Sequence, residues 1–232
     1  MNADFSARVV VDTAALPWRA SPEPGVERRP LDRLGGEVAR ATSLVRYAPG
    51  SAFAAHLHGG GEEFLVLDGR FADEHGEYPA GTYVRNPPGS RHAPRSPAGC
   101  TLFVKLWQFA PGDDATLVVD TRRAAWREGA ARGFAVLALH AHGGTSLALV
   151  RAAPDLALAV ESRHAGEELF VLEGDFADDQ GHYGAGTWIR DPRPARRAFE
   201  SGPQGALLLV RVGAVDAPTL WDRCAGAAAS PR

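Results

Sequence analysis

Three histidines and a glutamate stand at spacings that can hold a metal ion: His56, His58, Glu62 and His92. On an extended strand, residues two apart face the same way, so His56 and His58 can aim both imidazoles into one cavity. The run Gly59-Gly60-Gly61 bends the chain. Beyond it Glu62 shares a face with Phe64 and Val66, while Glu63 shares the opposite face with Leu65 and Leu67. His92 arrives from a distant turn shaped by Pro87 and Gly89 and supplies a fourth ligand. Three imidazoles and one carboxylate suit Fe, Zn, Mn, Ni or Cu, and the pattern does not choose among them. Glu62 has a second role open to it, that of an uncoordinated general base. Strand parity and nearness to these four residues nominate Phe53, Phe64, Tyr83, Phe103, Lys105 and Trp107 as walls of a substrate pocket, with core packing as the other role for each. Arg85 and Arg91 flank the stretch that carries His92.

Such a site needs strands to carry it, and the chain reads as strands throughout. Short apolar or alternating runs (ATSLVRYAP, EEFLVLDGRFAD, GTYVRNPPG, TLFVKLWQF) are broken every few residues by glycine or proline, and 26 Gly with 17 Pro supply the turns. This spacing, without any long helical periodicity, predicts an all-β fold of sandwich or barrel type. The pattern also occurs twice. VVVDTAALPW at 9–18 reads against LVVDTRRAAW at 117–126, and EEFLVLDGRFADEHGEYPAGTYVRNPPG at 62–89 reads against EELFVLEGDFADDQGHYGAGTWIRDPRP at 167–194. The expected organisation is a metal-binding domain over 1–112, a degenerate copy over 113–224 and a loose tail over 225–232.

The first copy resembles the cupins. Gly50, five residues, His56-Leu57-His58, three residues, Glu62, six residues and Gly69 match the first cupin motif. Gly81, five residues, Pro87, one residue, Gly89, two residues and His92 match the second, with Ser96 where that motif ends in Asn. The wording HGGGEEFLVLDGRFADEHGEYPAGTYVRNPPGSRHAP resembles more narrowly the ChrR-like cupin group, which includes the cupin of a zinc-binding anti-sigma factor and small iron dioxygenases that cleave diketones or acetophenones. The resemblance implies two tandem cupin jelly-roll β-barrels, with His56, His58, Glu62 and His92 as ligands to one divalent transition metal per chain. Iron and zinc lead, with Mn and Ni as alternatives. It implies an Fe(II)-dependent dioxygenase acting on a small diketone or hydroxyketone, with a non-catalytic zinc-binding sensor as the alternative. The anti-sigma role is disfavoured, because the first 30 residues contain neither His nor Cys.

In the second copy the offset from Glu62 to Glu167 places Glu161, Arg163 and Arg197 on His56, His58 and His92. Fixed guanidinium charge there repels a cation. The residues are expected to form an ion-pair group closing the barrel, with binding of an anionic ligand as the other reading. His140 and His142 lie upstream of the ligand register and lack a following glutamate; His164 with Glu167 is a still poorer pair. Cys100 and Cys224 have no partner at ligand spacing and read as structural thiols. A formal charge of −3 without a basic run disfavours nucleic acid. No stretch is long and apolar enough for a transmembrane helix, and the N-terminus has no signal-type apolar segment, so no membrane and a cytoplasmic location are expected. The expected partners are a small-molecule ligand and, for assembly, a monomer or homodimer.

Overall fold

The structure is a computed structural model that describes residues 1–36, 38–161, 166–192 and 196–213. Among them the only helical element is a single 3₁₀ turn, Thr13–Ala15, and no helix is long and apolar enough to cross a membrane. The rest is antiparallel strand and turn, arranged in two compact units. One contains Met1–Ala3 and Leu16–Arg123, the other Asp4–Ala15 and the described residues of Ala124–Ala217.

The first unit is built on a ten-stranded sheet. Its main path runs Leu117–Asp120, Thr82–Asn86, Glu62–Ala72, Cys100–Leu106, Ala39–Tyr47, Val26–Gly35 and Arg19–Ala20. A separate two-stranded ribbon pairs His56–His58 with Ser90–His92. Side-chain alternation assigns each strand two faces. Phe64, Val66, Val84, Leu102, Val104 and Val45 belong to one core cluster, and their neighbours Glu63, Leu65, Tyr83, Arg85, Phe103 and Leu44 point the other way. Cys100 joins this cluster as a free, buried thiol, and burial pushes its pKa up to about 11, which makes it a packing residue rather than a nucleophile.

The long Glu62–Ala72 strand must curve to close a barrel. Its pairing with Cys100–Leu106 slips by one residue between Thr101 and Leu102. Gly69 sits there at φ +72°, and a Cβ on it would lie 2.1 Å from the Gly99 carbonyl oxygen, so only glycine fits the bend. Gly174 repeats the device in the second unit at φ +67° against Gly205.

That second unit has the same sheet order, running Val9–Asp12, Thr187–Asp191, Glu167–Asp178, Arg196–Val212, Thr145–Ala152, Phe134–His142 and Arg127–Glu128. Leu169, Val171, Phe176, Ile189, Phe199 and Leu208 fill its core. Each unit takes one edge strand from the other repeat. Leu117–Asp120 pairs with Thr82–Asn86 in the first unit, and Val9–Asp12 pairs with Thr187–Asp191 in the second. The sequence repeat and the compact unit are therefore different sets of residues. VVVDT and LVVDT are near-identical, so self-similarity in the sequence does not tell which barrel each strand closes.

Candidate metal centre

The ribbon register assembles the site. His92 lies directly opposite His56, and Ser90 opposite His58. In an antiparallel pair, opposite residues share a face, and so do residues two apart on one strand. His56, His58 and His92 therefore converge, with one ligand nitrogen of each lying within 4.8 Å of the others. His58 Nε2 is 2.9 Å from His92 Nε2. Glu62, the first residue of the strand after the glycine bend, brings Oε2 to 3.4 Å from His58 Nε2 and 3.5 Å from His92 Nε2. The same oxygen accepts a hydrogen bond from Asn86 Nδ2 at 3.2 Å, across the Glu62–Asn86 register.

Partners on the far side of the rings fix the tautomers. His92 Nδ1 faces Asp73 Oδ2 at 3.2 Å, so it carries the proton and leaves Nε2 as a lone pair. His56 Nδ1 donates to the Ala54 carbonyl at 2.9 Å, with the same consequence for its Nε2. Asp73 is itself held by three donors on Oδ1: the amides of His75 and Gly76 and the hydroxyl of Tyr78. Burial lowers the His58 pKa to about 4, with His56 adding to the effect. It also lowers that of His92, against the pull of Glu62, and it raises that of Glu62. With His58 and His92 neutral, their short contacts to Glu62 are not ion pairs. Acceptor nitrogens and a carboxylate oxygen crowd one point, and a cation is the species that such a set accommodates. The residues present fit a divalent transition metal.

The centre opens on a cavity of about 280 Å³ lined by residues of the Val26–Gly35, Ala39–Tyr47, His56–His58, Glu62–Ala72 and Cys100–Leu106 strands. Phe53 and Trp107 are among the residues that line it, and the Phe53 ring lies 5.5 Å from that of His56. Trp107 covers the glycine bend at a backbone φ of +59°, and a Cβ on Gly60 would lie 2.0 Å from its indole ring.

The structure puts the other four proposed wall residues elsewhere. Phe64 is buried in the core beneath the cavity, against Phe71 and Tyr78. Tyr83, Phe103 and Lys105 lie on the opposite face of the sheet. Tyr83 donates to Glu63, and Lys105 to Thr42. The inward positions of the Cys100–Leu106 strand are the even ones, Leu102, Val104 and Leu106, so strand parity assigned Phe103 and Lys105 to the wrong face. Trp107 lies beyond the strand end, where its positive φ releases it from alternation. Arg85 belongs to the same far face, paired with Glu63 at 2.8 Å and Asp113 at 2.6 Å, and Arg91 is exposed.

Asp73 and Asn86 escaped the sequence reading. Asn86 was findable once Glu62–Ala72 was paired with Thr82–Asn86, since it falls opposite Glu62. Asp73 shapes the hairpin turn through one carboxylate oxygen, and its second oxygen serves His92. In the second unit Glu167 is buried. Arg163 and His164, the side chains of Glu161 and Arg197, and Cys224 all lie outside the described residues. His140 and His142 join no metal-capable group among the described residues.

Comparison with known proteins agrees with this picture. Solved structures of similar fold include a candidate dioxygenase from Nostoc punctiforme at 14% identity and a TM-score of 0.74, covering 92% of this chain and 85% of that one. The pirin YhhW of Escherichia coli, solved with nickel(II), aligns at 11% identity and a TM-score of 0.68, covering 90% of this chain and 99% of its own. An oxalate decarboxylase aligns at 13% and 0.64, over 88% of this chain and 76% of its own. At such identities the likeness concerns the fold alone. No curated protein matches. The model of the ChrR cupin-like domain matches twice, over residues 6–110 and 114–216, and the chain belongs to that family as a tandem cupin.

Proposed function

We propose that the first unit holds one iron(II) and oxidises a small 1,3-dicarbonyl or hydroxyketone with dioxygen. The observation that carries this reading is the convergence of three imidazole nitrogens, two of them left as lone pairs by outer hydrogen bonds, beside a buried carboxylate at the wall of a small, mainly apolar cavity. His56, His58 and His92 are the ligands. When bound, the metal supplies Lewis acidity to the carbonyl oxygens and electrons to dioxygen.

The protein's own groups do the rest. Glu62, whose pKa burial raises, removes the proton from the carbon between the two carbonyls and leaves the enolate. Asn86 holds the receiving oxygen in place. Phe53, Leu102, Val104 and Trp107 exclude bulk water from the bound substrate. A fold relative bearing the name of a candidate dioxygenase, and another solved with a metal ion, support this assignment.

The test is elemental analysis of protein purified anaerobically without chelator, followed by oxygen uptake with small diketones. About one iron per chain, with uptake that Glu62→Gln abolishes while leaving the iron in place, is the expected result. One zinc per chain, no uptake after iron reconstitution and retained ligand binding would replace the enzyme by a metal-dependent binding protein. Loss of the metal itself in Glu62→Gln would make Glu62 a ligand rather than the base.

A further inference from the structure

Among the described residues, two guanidinium groups and one carboxylate line the cavity. Arg28 and Arg33 both line it from the Val26–Gly35 strand, and among the described residues Glu62 is the only acid that lines it. Arg33 is anchored locally, donating to the Gly36 carbonyl. Arg28 is not anchored. It lies opposite Val45 in the sheet, its Nε is buried without a hydrogen-bond partner, and no described carboxylate pairs with it. Burial is the largest influence on its pKa and lowers it; Glu62, in the same cavity, acts on it through space but makes no ion pair with it.

Tyr47 is its diagonal neighbour across the strand pair, since Val26 stands opposite Tyr47 and Arg28 opposite Val45; it lines the same cavity and is held by the rings of Phe53 and Phe71. The Tyr47 hydroxyl also has no hydrogen-bond partner among the described residues. Its pKa is driven far up by burial, so at neutral pH it is a donor. A guanidinium fork and a phenol that line one cavity from diagonal positions, both with donors to spare, match the acceptor oxygens of a carboxylate. An uncharged ligand leaves both groups dehydrated and unsatisfied, which is the costly arrangement.

We propose that Arg28 and Tyr47 form a carboxylate-binding subsite in the metal cavity, and that the ligand is a small dicarbonyl compound with a carboxylate at its far end. The dicarbonyl end rests on the function proposed above; the anionic end does not. A volume of about 280 Å³ limits the ligand to a compact molecule.

The test is calorimetric titration of the metal-loaded protein with succinylacetone, a 1,3-diketone with a terminal carboxylate, and with its uncharged methyl ester. The acid should bind at least about tenfold more tightly than the ester. Arg28→Met should erase the preference, Arg28→Lys should leave only part of it, and Tyr47→Phe should reduce it. Equal binding of acid and ester by the wild type overturns the subsite, as does a full preference in Arg28→Met. If Arg28→Met does not fold, an undiminished preference in both Arg28→Lys and Tyr47→Phe overturns it instead. Oxygen uptake from uncharged diketones without any charge preference would remove the subsite and leave the proposed oxidation standing. An Arg28-dependent preference in protein that takes up no oxygen would do the reverse.

Discussion

Asp73→Asn separates the two functions of one carboxylate. Oδ1 accepts from the amides of His75 and Gly76 and from the Tyr78 hydroxyl, at 2.8, 3.1 and 3.1 Å, and these bonds shape the hairpin. Oδ2 accepts from His92 Nδ1 at 3.2 Å. An asparagine retains the first oxygen but turns an NH₂ toward His92. The ring then answers with Nδ1 as acceptor, its proton moves to Nε2, and the nitrogen that should hold the metal becomes a donor. Loss of such an outer partner typically costs about 10- to 100-fold in metal affinity. Asp73→Ala should cost the same affinity and, in addition, about 2–4 kcal/mol of stability, since it leaves the three hairpin donors without their acceptor. Competition against a chelator of known affinity reads the first effect, and thermal melting of the metal-free protein the second. Wild-type metal affinity in Asp73→Asn would refute the tautomer argument, and equal melting of the Asn and Ala variants would refute the division of labour.

Two further outcomes follow from the same site. His58 is held neutral in the fold, with its pKa lowered from 6.5 to about 4. Between those values the unfolded chain binds more protons than the folded one, so the stability from a neutral His58 is full above about pH 6.5 and is lost as pH falls toward 4. Glu62, shifted upward, acts in the opposite sense, so the comparison must isolate His58. Metal-free wild type should lose about 3 kcal/mol relative to His58→Leu between pH 7.5 and 4 in chemical denaturation, and parallel curves would contradict it. Gly60→Ala should displace Trp107 from the glycine bend, because its Cβ would stand 2.0 Å from the indole. A shifted tryptophan emission with about 1–3 kcal/mol of destabilisation is expected, and an unchanged spectrum would show that the bend has slack.

The convergence of the three histidines was legible because its geometry is local: the two-residue spacing of His56 and His58 and the turn before His92 carry the information within a few residues. The opposed faces of Glu62 and Glu63 were legible for the same reason, and the structure keeps them. The pocket walls were less so. The parity that put Phe103, Lys105 and Trp107 on one face fails where the chain leaves the strand at positive φ, and nothing in the residue types announces that break. Arg28 was invisible because the Val26–Gly35 strand slips register between Pro30 and Asp32, so its inward set, Arg28 and Arg33, has no regular period. Asp73 needed the tertiary meeting of a hairpin turn with His92, nineteen positions further along the chain.

The edge strands taken from the opposite repeat set a timetable for synthesis. The strand Val9–Asp12 is made well over a hundred residues before the strand it pairs with, Thr187–Asp191. The first barrel cannot seal the flank of Thr82–Asn86 until Leu117–Asp120 has been made. A nascent chain halted near residue 112 therefore displays two open strand edges at once, the kind of surface that pairs with neighbouring chains. The linker that follows Phe109 then has an immediate task on emergence. Asp113 ties down Arg85, whose guanidinium lies over the Phe109 ring, and so brings the closing strand up to the flank left open.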